Sequence, residues 1–463
     1  MGRFCEADTE EFYNGEDQKY RSFWDQEGSL HWGYFEDLTR SGHPAFLAAC
    51  SRWNEIMAKT AGIDSDSIVL DLGCGNGTTA IWLTETFKCR VIGIDLSEVR
   101  IANAIVKSKE HPDLTIQFKK ASATELPFAD ESFTHVWSQA TLYHVHHREN
   151  ALEEIWRVLK DRGSLLFDDL VQPVKEVSPT SRKIVYDRLL FHGTFSHTAY
   201  QNKLQEVGFL VLKSDDLSPH LHRSYYILSR EIQEQYPELS AVYQGMCHAI
   251  ESNELGWSFF YCKKIKVEDR VAWVYDETTP ETLEEKYNAW AGSYDRELKE
   301  TYGNCPTMAA NVLGNFLQDR KSRILDAGAG TGMVGETLTK LGFSNITAAD
   351  LSQKMLDIAG SKNVYQELFQ WDLEEPPKWE DECFDGIIAV GVFTFSHADP
   401  EALVNLHRLL KPGGTFVVTV RVDYYDSISE FTRVLQSLSW NEIAREKFVI
   451  FHNEPMYVIT MRK

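Results

Sequence analysis

Residues 68–77 read IVLDLGCGNG, and residues 323–332 read RILDAGAGTG. Each stretch is a short apolar run that closes on an aspartate, Asp71 or Asp326, and opens into glycines at alternate positions. An apolar run without polar alternation predicts a strand buried on both faces, as in a parallel sheet. The glycines at 73, 75 and 77, and at 328, 330 and 332, allow positive φ and carry no Cβ, so a ligand can approach the backbone closely. Helical stretches follow at Thr78–Thr86 and Met333–Lys340, and their first N–H groups are free to meet polar atoms.

Working outward, the two stretches prove to be parts of one repeat. VIGIDLS ends at Ser97 and ITAADLS at Ser352, and the interval from Asp71 to Asp95 equals that from Asp326 to Asp350. Ser97 and Ser352 are predicted N-caps. LEEIWRVLKDRG (152–163) answers LVNLHRLLKPGG (403–414), and the strands VWSQ (136–139) and SLLFDDL (164–170) answer GIIAV (386–390) and TFVVTV (415–420). Self-similarity of this kind indicates two copies of one fold. Strand–helix alternation makes each copy α/β, a doubly wound sheet with helices on both faces. The expected domains are 1–268 and 275–463. GWSFFYCKKI (256–265) is read as the last strand of the first, and VEDRVAWVYDETTPET (267–282) as a polar linker. The first copy carries an insertion at about 172–200 whose HGTFSHTAY (192–200) is expected to lie as a lid over the acceptor.

Composition narrows the function. The 463 residues are 43% hydrophobic and 25% charged, which are globular values. Lys and Arg number 47 against 69 Asp and Glu, a net charge of −22 without any basic block, so a nucleic-acid partner is not expected. The eight cysteines include no C-x-x-C pair, so neither a zinc site nor a redox dithiol is expected. The polar N-terminus and the absence of a long apolar run predict a cytoplasmic protein with reduced thiols and no membrane span.

The glycine spacing separates two nucleotide chemistries. A dinucleotide loop places its third glycine where this chain has Thr78 and Met333, which disfavours a nicotinamide oxidoreductase. The carboxylates of Asp95 and Asp350, at the ends of the next strands, suit the two hydroxyls of a ribose. Asp-x-Gly-x-Gly-x-Gly with this acidic partner resembles the class I S-adenosylmethionine-dependent methyltransferases, in both halves. The resemblance implies tandem Rossmann-like domains, S-adenosyl-L-methionine as cofactor, S-adenosyl-L-homocysteine as product, and no metal. It places the methionine end along Asp71, Gly73, Gly75 and Gly77, and along Asp326, Gly328, Gly330 and Gly332. The ribose falls to Asp95 with Leu96 and to Asp350 with Leu351. The adenine amine falls to Asp372 in the second copy and to Ser122 and Ala123 in the first, where Ser122 replaces the usual aspartate.

WSQATLYHVHHRENALEEIWRVLKDRGSLLFDDLVQP (137–173) resembles the sarcosine/dimethylglycine methyltransferases, which methylate glycine-type nitrogen towards betaine, and less closely the phosphoethanolamine methyltransferases. The matching residues are Trp137-Ser138-Gln139, Leu142, His144, Arg148 and Phe167-x-Asp169. An acidic residue commonly follows the Ser-Gln in those families, where this chain has Ala140. His144 is the candidate polar or basic group near the acceptor. Tyr143 and Trp137, with Trp32 and Tyr34, could form an aromatic wall for a cationic methyl group, or could be core. Arg148, Arg188 and Lys183 could each meet a carboxylate or phosphate, or stand as surface charge. His146 and His147 are expected on a solvent-facing loop.

In the second copy, EKYNAWAGSYDREL (285–298) resembles an N-terminal cap helix with Tyr287, Trp290 and Tyr294 near the cofactor, although an amphipathic core helix explains the same spacing. His397 falls in the loop corresponding to His144. Methyl transfer from a sulfonium is an in-line displacement governed by positioning. An ammonium acceptor must first lose a proton, so a His or Tyr in reach would help. The expected activity is bifunctional methylation of a small soluble metabolite, namely successive N-methylations of a glycine, sarcosine or dimethylglycine-type amine. S-methylation of a small thioether acid, which fits Ala140, and N-methylation of phosphoethanolamine are the alternatives. A reading of another class makes the second copy a cofactor-binding or interaction module without turnover.

Overall fold

The computed structural model describes residues 4–191, 195–276, 279–301, 305–449 and 455–463, so residues 192–194 of the expected lid lie outside it. The chain divides into two compact units, Met1–Lys266 and Val267–Lys463. The N-terminal unit is built on β1 (Ile68–Leu72), β2 (Arg90–Asp95), β3 (Ile116–Lys120), β4 (Phe133–Gln139), β5 (Leu159–Val171), β6 (Leu210–Asp216) and β7 (Gly256–Lys263). The C-terminal unit uses β8 (Ile324–Ala327), β9 (Ile346–Asp350), β10 (Glu367–Gln370), β11 (Phe384–Phe393), β12 (Leu410–Arg421), β13 (Asn441–Val449) and β14 (Pro455–Arg462). The strand orders are 3-2-1-4-5-7-6 and 10-9-8-11-12-14-13.

In each sheet the first five strands are parallel, and an antiparallel pair closes one side. β1 and β8 sit centrally because both faces of each are covered: Val69, Leu70, Ile324 and Leu325 are fully buried. Successive crossovers run to opposite sides of β1 and of β8. Such a reversal of winding opens a crevice beyond the carboxyl ends of the central strands, where α/β folds bind ligands. The chain enters that crevice at the glycine loops. Ser97 and Ser352 cap the following helices, with their hydroxyls accepting from Arg100 N at 3.2 Å and Met355 N at 3.1 Å.

Two features depart from the sequence reading. Residues 267–282 are not simply a linker: Arg270–Tyr275 is helical, and the C-terminal unit includes it. Arg270, Trp273 and Val274, at helical spacing, turn inward, and the buried Arg270 guanidinium meets both oxygens of Glu297 at 2.5 and 2.7 Å. The N-terminal unit also holds more than one addition. Besides the turn and π-helix over Pro179–Asp187 within the insertion, it carries the helices Ser218–Glu231 and Pro237–Glu251 between β6 and β7. In the C-terminal unit the strands equivalent to β6 and β7 are β13 and β14, with residues 450–454 between them, and β12 reaches β13 through Val422–Ser427 and Ser429–Ser437. Among the described residues no helix is long and apolar enough to cross a membrane.

Candidate active site

In the N-terminal unit, Gly73, Gly75 and Gly77 have φ of +81°, +52° and +76°. A Cβ at Gly73 would lie 2.1 Å from Thr141 Oγ1, whereas one at Gly75 would meet nothing within 4 Å. Gly75 therefore serves backbone conformation and leaves open space above the loop. Asp95 pins that loop, its Oδ2 accepting from Gly75 N at 3.0 Å and its Oδ1 from Ser97 N at 2.8 Å. The second unit repeats the arrangement. Gly330 N donates to Asp350 Oδ2 at 2.7 Å and Ser352 N to Oδ1 at 2.8 Å, and a Cβ at Gly330 would again meet open space.

The acidic residue ahead of each loop is buried. Asp71 has one oxygen with no hydrogen-bond partner, and burial followed by the nearby Asp95 charge pushes its carboxyl up to about 7. Asp326 is likewise pushed by burial to about 7; one oxygen accepts from Tyr365 at 2.6 Å and the other lacks a partner.

Over the first loop lies an open-mouthed cavity of about 1390 Å³. Asp71, Gly73, Gly75, Asp95, Leu96, Ala123, Tyr143 and His144 line it, as do Trp32 and Arg188. Gly77 does not: a Cβ there would sit 2.6 Å from the Phe118 ring, so this glycine serves packing. Ser122 stands behind the wall and donates to the lining Glu6 at 2.5 Å. Trp137 is a correction. Its side chain is fully buried in the core of the unit and its indole donates to Gln139 Oε1 at 3.0 Å; Gln139, on the same face and nearer the carboxyl end of β4, lines the cavity in its place. Tyr34 stacks on His220 and Trp53, away from the cavity. Of the three candidate cations, Lys183 is exposed and Arg148 is buried against Phe195, with its Nη2 donating to Tyr143 O at 3.2 Å. Only Arg188 reaches the cavity.

The loop bearing Tyr143 and His144 hangs from two consecutive carboxylates of β5. Asp168, fully buried and pushed by burial to about 6, accepts from Trp53 Nε1 at 2.8 Å, Trp257 Nε1 at 2.9 Å and Ala140 N at 3.2 Å. Asp169, on the opposite face and pushed by burial to about 7, accepts from Tyr143 N at 2.9 Å and from the Tyr200 hydroxyl. Ala140 takes φ +50° where the repeat has Gly391 at +73°, and Gly391 N donates to Thr419 Oγ1 at 2.9 Å. His146 is partly exposed and His147 exposed.

One contributor is absent from the sequence reading. Tyr13, on the helix Glu6–Arg21, hydrogen-bonds His144 Nε2, and burial pushes its hydroxyl to about 12. In the second unit Tyr287 bonds His397 Nε2 at 2.6 Å, and burial lowers His397 to about 4. Asn14 and Asn288 each accept from the capping serine, at 2.6 and 2.7 Å. The legible signal was the dipeptide Tyr-Asn, present at 13–14 and again at 287–288.

The second cavity, about 930 Å³, is lined by Gly328, Gly330, Tyr287, Trp290 and Tyr294 among others. Asp326, Gly332, Asp350, Leu351 and Asp372 stand outside this wall. Gly332 packs against Tyr365, Asp350 is joined to the wall through Gly330 N, and Asp372 caps a turn by accepting from Glu374 N at 3.0 Å.

Residues 70–167 match the Methyltransferase domain family, and residues 325–418 match it a second time. The chain is a tandem class I methyltransferase. The tandem methyltransferase is 28% identical over 273 residues to the sarcosine/dimethylglycine N-methyltransferase of Halorhodospira halochloris, covering 55% of this chain and 95% of that one. It is 29% identical over 235 residues to the glycine/sarcosine/dimethylglycine N-methyltransferase of Actinopolyspora halophila, covering 50% of this chain and 40% of that relative's length. It is also 29% identical over 204 residues to the 27-O-demethylrifamycin SV methyltransferase of Amycolatopsis mediterranei, covering 42% and 72%. Both glycine loops fit the methyl donor of such enzymes. Each has clear space above its middle glycine, and in the N-terminal unit the cavity also presents unpartnered polar atoms, Asp71 Oδ2 and His31 Nε2.

Proposed function

We propose that the chain is a bifunctional methyltransferase of small metabolites whose N-terminal unit methylates the nitrogen of a carboxylate-bearing amine of the glycine, sarcosine or dimethylglycine type. The observation that carries this reading is Arg188. Its guanidinium lines the cavity beside Tyr20, Tyr225 and Tyr243, donates to the Tyr20 hydroxyl at 3.2 Å, and has no carboxylate partner among the described residues. A planar cation in an aromatic chamber is a site for a carboxylate. Two of the named relatives methylate such amines.

In this reading Gly73, Gly75 and Asp71 hold the methionine end of S-adenosylmethionine, and Asp95 with Leu96 holds its ribose. Ala123 and Ser122 border the adenine. In the second unit Gly328 and Gly330, with Asp326 behind them, meet the methionine end and Asp350 with Leu351 the ribose, whereas Gly332 serves packing and Asp372 a turn. The bound cofactor supplies a methyl group on a sulfonium. The chain's own residues orient the acceptor: Arg188 fixes its carboxylate, and Tyr143 and Trp32 wall the chamber. Tyr13 and His144 form the hydrogen-bonded pair that can take up the ammonium proton.

S-methylation of a thioether acid is the second reading. It is favoured by Ala140, which leaves no carboxylate at that turn, and a thioether needs no base. A radiolabelled methyl-transfer screen of glycine, sarcosine, dimethylglycine, phosphoethanolamine and 3-(methylthio)propionate separates the readings. Arg188→Gln is expected to raise the acceptor KM by about 10- to 100-fold, the size of a lost charge-assisted hydrogen bond, with cofactor affinity unchanged. Turnover of phosphoethanolamine alone, or an Arg188→Gln chain with unaltered KM, contradicts the reading.

A further inference from the structure

We infer that the C-terminal unit is a second catalytic centre whose acceptor is an uncharged, largely apolar molecule bearing a hydroxyl or thiol. The inference deepens the bifunctional reading above and rests on it. It replaces successive methylation of one nitrogen by two chemically distinct acceptors. Two independent observations carry it.

The first is the preserved machinery. Tyr287 and His397 repeat the Tyr13–His144 pair from the same elements, a helix ahead of the sheet and the loop after the fourth strand. Asn288 and Ser352 repeat Asn14 and Ser97, and Asp350 holds Gly330 N as Asp95 holds Gly75 N. His397 Nδ1 bonds Phe395 O at 2.8 Å, which places its proton there and leaves Nε2 to accept from Tyr287. A module that only bound cofactor would need the acid and the glycines, but not this pair.

The second is the change in the acceptor wall. In the N-terminal unit Arg188, Tyr225 and Tyr243 come from the segment 172–191 and the helices Ser218–Glu231 and Pro237–Glu251. Among the described residues the C-terminal unit has no counterpart of those two helices: the equivalent strands are β13, which ends at Val449, and β14, which begins at Pro455. Its cavity is instead covered by Val271, Val274 and Tyr275 of the helix Arg270–Tyr275, and completed by Leu298, Val390 and Met456. Among the described residues that line it, none carries a charged side chain. The guanidinium of Arg421, stacked on Tyr275 and Phe395, is engaged by both oxygens of Asp423 at 3.0 and 2.7 Å. Burying a carboxylate in such a chamber without a partner is costly, whereas an apolar ring or chain gains by leaving water.

The step balances with groups on hand. The acceptor oxygen or sulfur forms the bond to the methyl carbon, and the carbon–sulfur bond of the donor breaks with its electron pair staying on sulfur. The acceptor proton passes to the Tyr287 oxygen as the Tyr287 proton moves to His397 Nε2.

The test uses the full chain with the first site silenced by Asp95→Ala, and Asp95→Asn as a second variant should the first fold poorly. Methyl transfer is measured to sarcosine, dimethylglycine and 3-(methylthio)propionate, and to phenol, thiophenol and 1-naphthol. Calorimetry follows binding of the same neutral probes to the chain loaded with S-adenosylhomocysteine. The expected result is at least a 100-fold loss of transfer to the three carboxylates. Transfer to, or saturable binding of, at least one neutral probe persists and is lost on adding Asp350→Ala. Carboxylate methylation that survives in both Asp95 variants overturns the inference. So does the absence of transfer and of saturable binding for all three neutral probes while S-adenosylhomocysteine still binds. Neither result touches the assignment of Arg188, which fails separately in the wild-type screen.

Discussion

Asp71 shows how a single side chain couples the site to stability. In the unfolded chain its carboxyl titrates near the ordinary 3.8, and in the folded chain burial raises it to about 7. Between these values the folded state binds more protons than the unfolded one, so this group's contribution to stability falls as pH rises from about 4 to about 7. Asp71→Asn removes the dependence. Relative to that variant, the wild type is expected to melt progressively lower as pH goes from 5 to 8, and parallel melting curves across that range would contradict the burial of a partnerless oxygen. Asp168 makes a different case, since its two indole donors, Trp53 Nε1 and Trp257 Nε1, are both buried. Asp168→Ala strands those donors and is expected to cost about 3–5 kcal/mol in denaturant unfolding. The loss should exceed that of Asp168→Asn, which keeps one acceptor oxygen.

At the scale of elements, the helix Glu6–Arg21 is tied to the glycine-loop region by one buried carboxylate. Asp17 accepts from Asn76 Nδ2 at 2.9 Å, Arg100 Nε at 3.2 Å and Asn103 Nδ2 at 3.2 Å. Asp17→Ala leaves Arg100 buried without its counter-ion, and breaking such a pair costs about 3–5 kcal/mol. Hydrogen exchange is expected to show Glu6–Arg21 losing protection first, and unchanged protection there would argue against the tie. Sequence patterns reached some elements and missed others for identifiable reasons. The strands around Asp71 and Asp326 and the capping serines are local features, set by apolar runs and by one side chain meeting its own backbone. Trp137 shares a face of β4 with the cavity-lining Gln139 and misses the site only by lying deeper in the strand, and Arg188, which follows the π-helix that carries Lys183, is set apart from Lys183 and from Arg148 of the helix Arg148–Val158 only by where the fold places it. The helix Arg270–Tyr275 resembled a linker because its one charged inward residue, Arg270, is neutralised by Glu297 from a helix further along the chain.

The whole molecule carries two pockets of one design in one chain, each with its own acceptor wall. Isothermal titration of the full chain with S-adenosylhomocysteine tests this most directly. Two sites per chain are expected, falling to one in Asp95→Ala and to one in Asp350→Ala, with the surviving site's affinity unchanged. A single site in the wild type, or two undiminished sites in either variant, would contradict it.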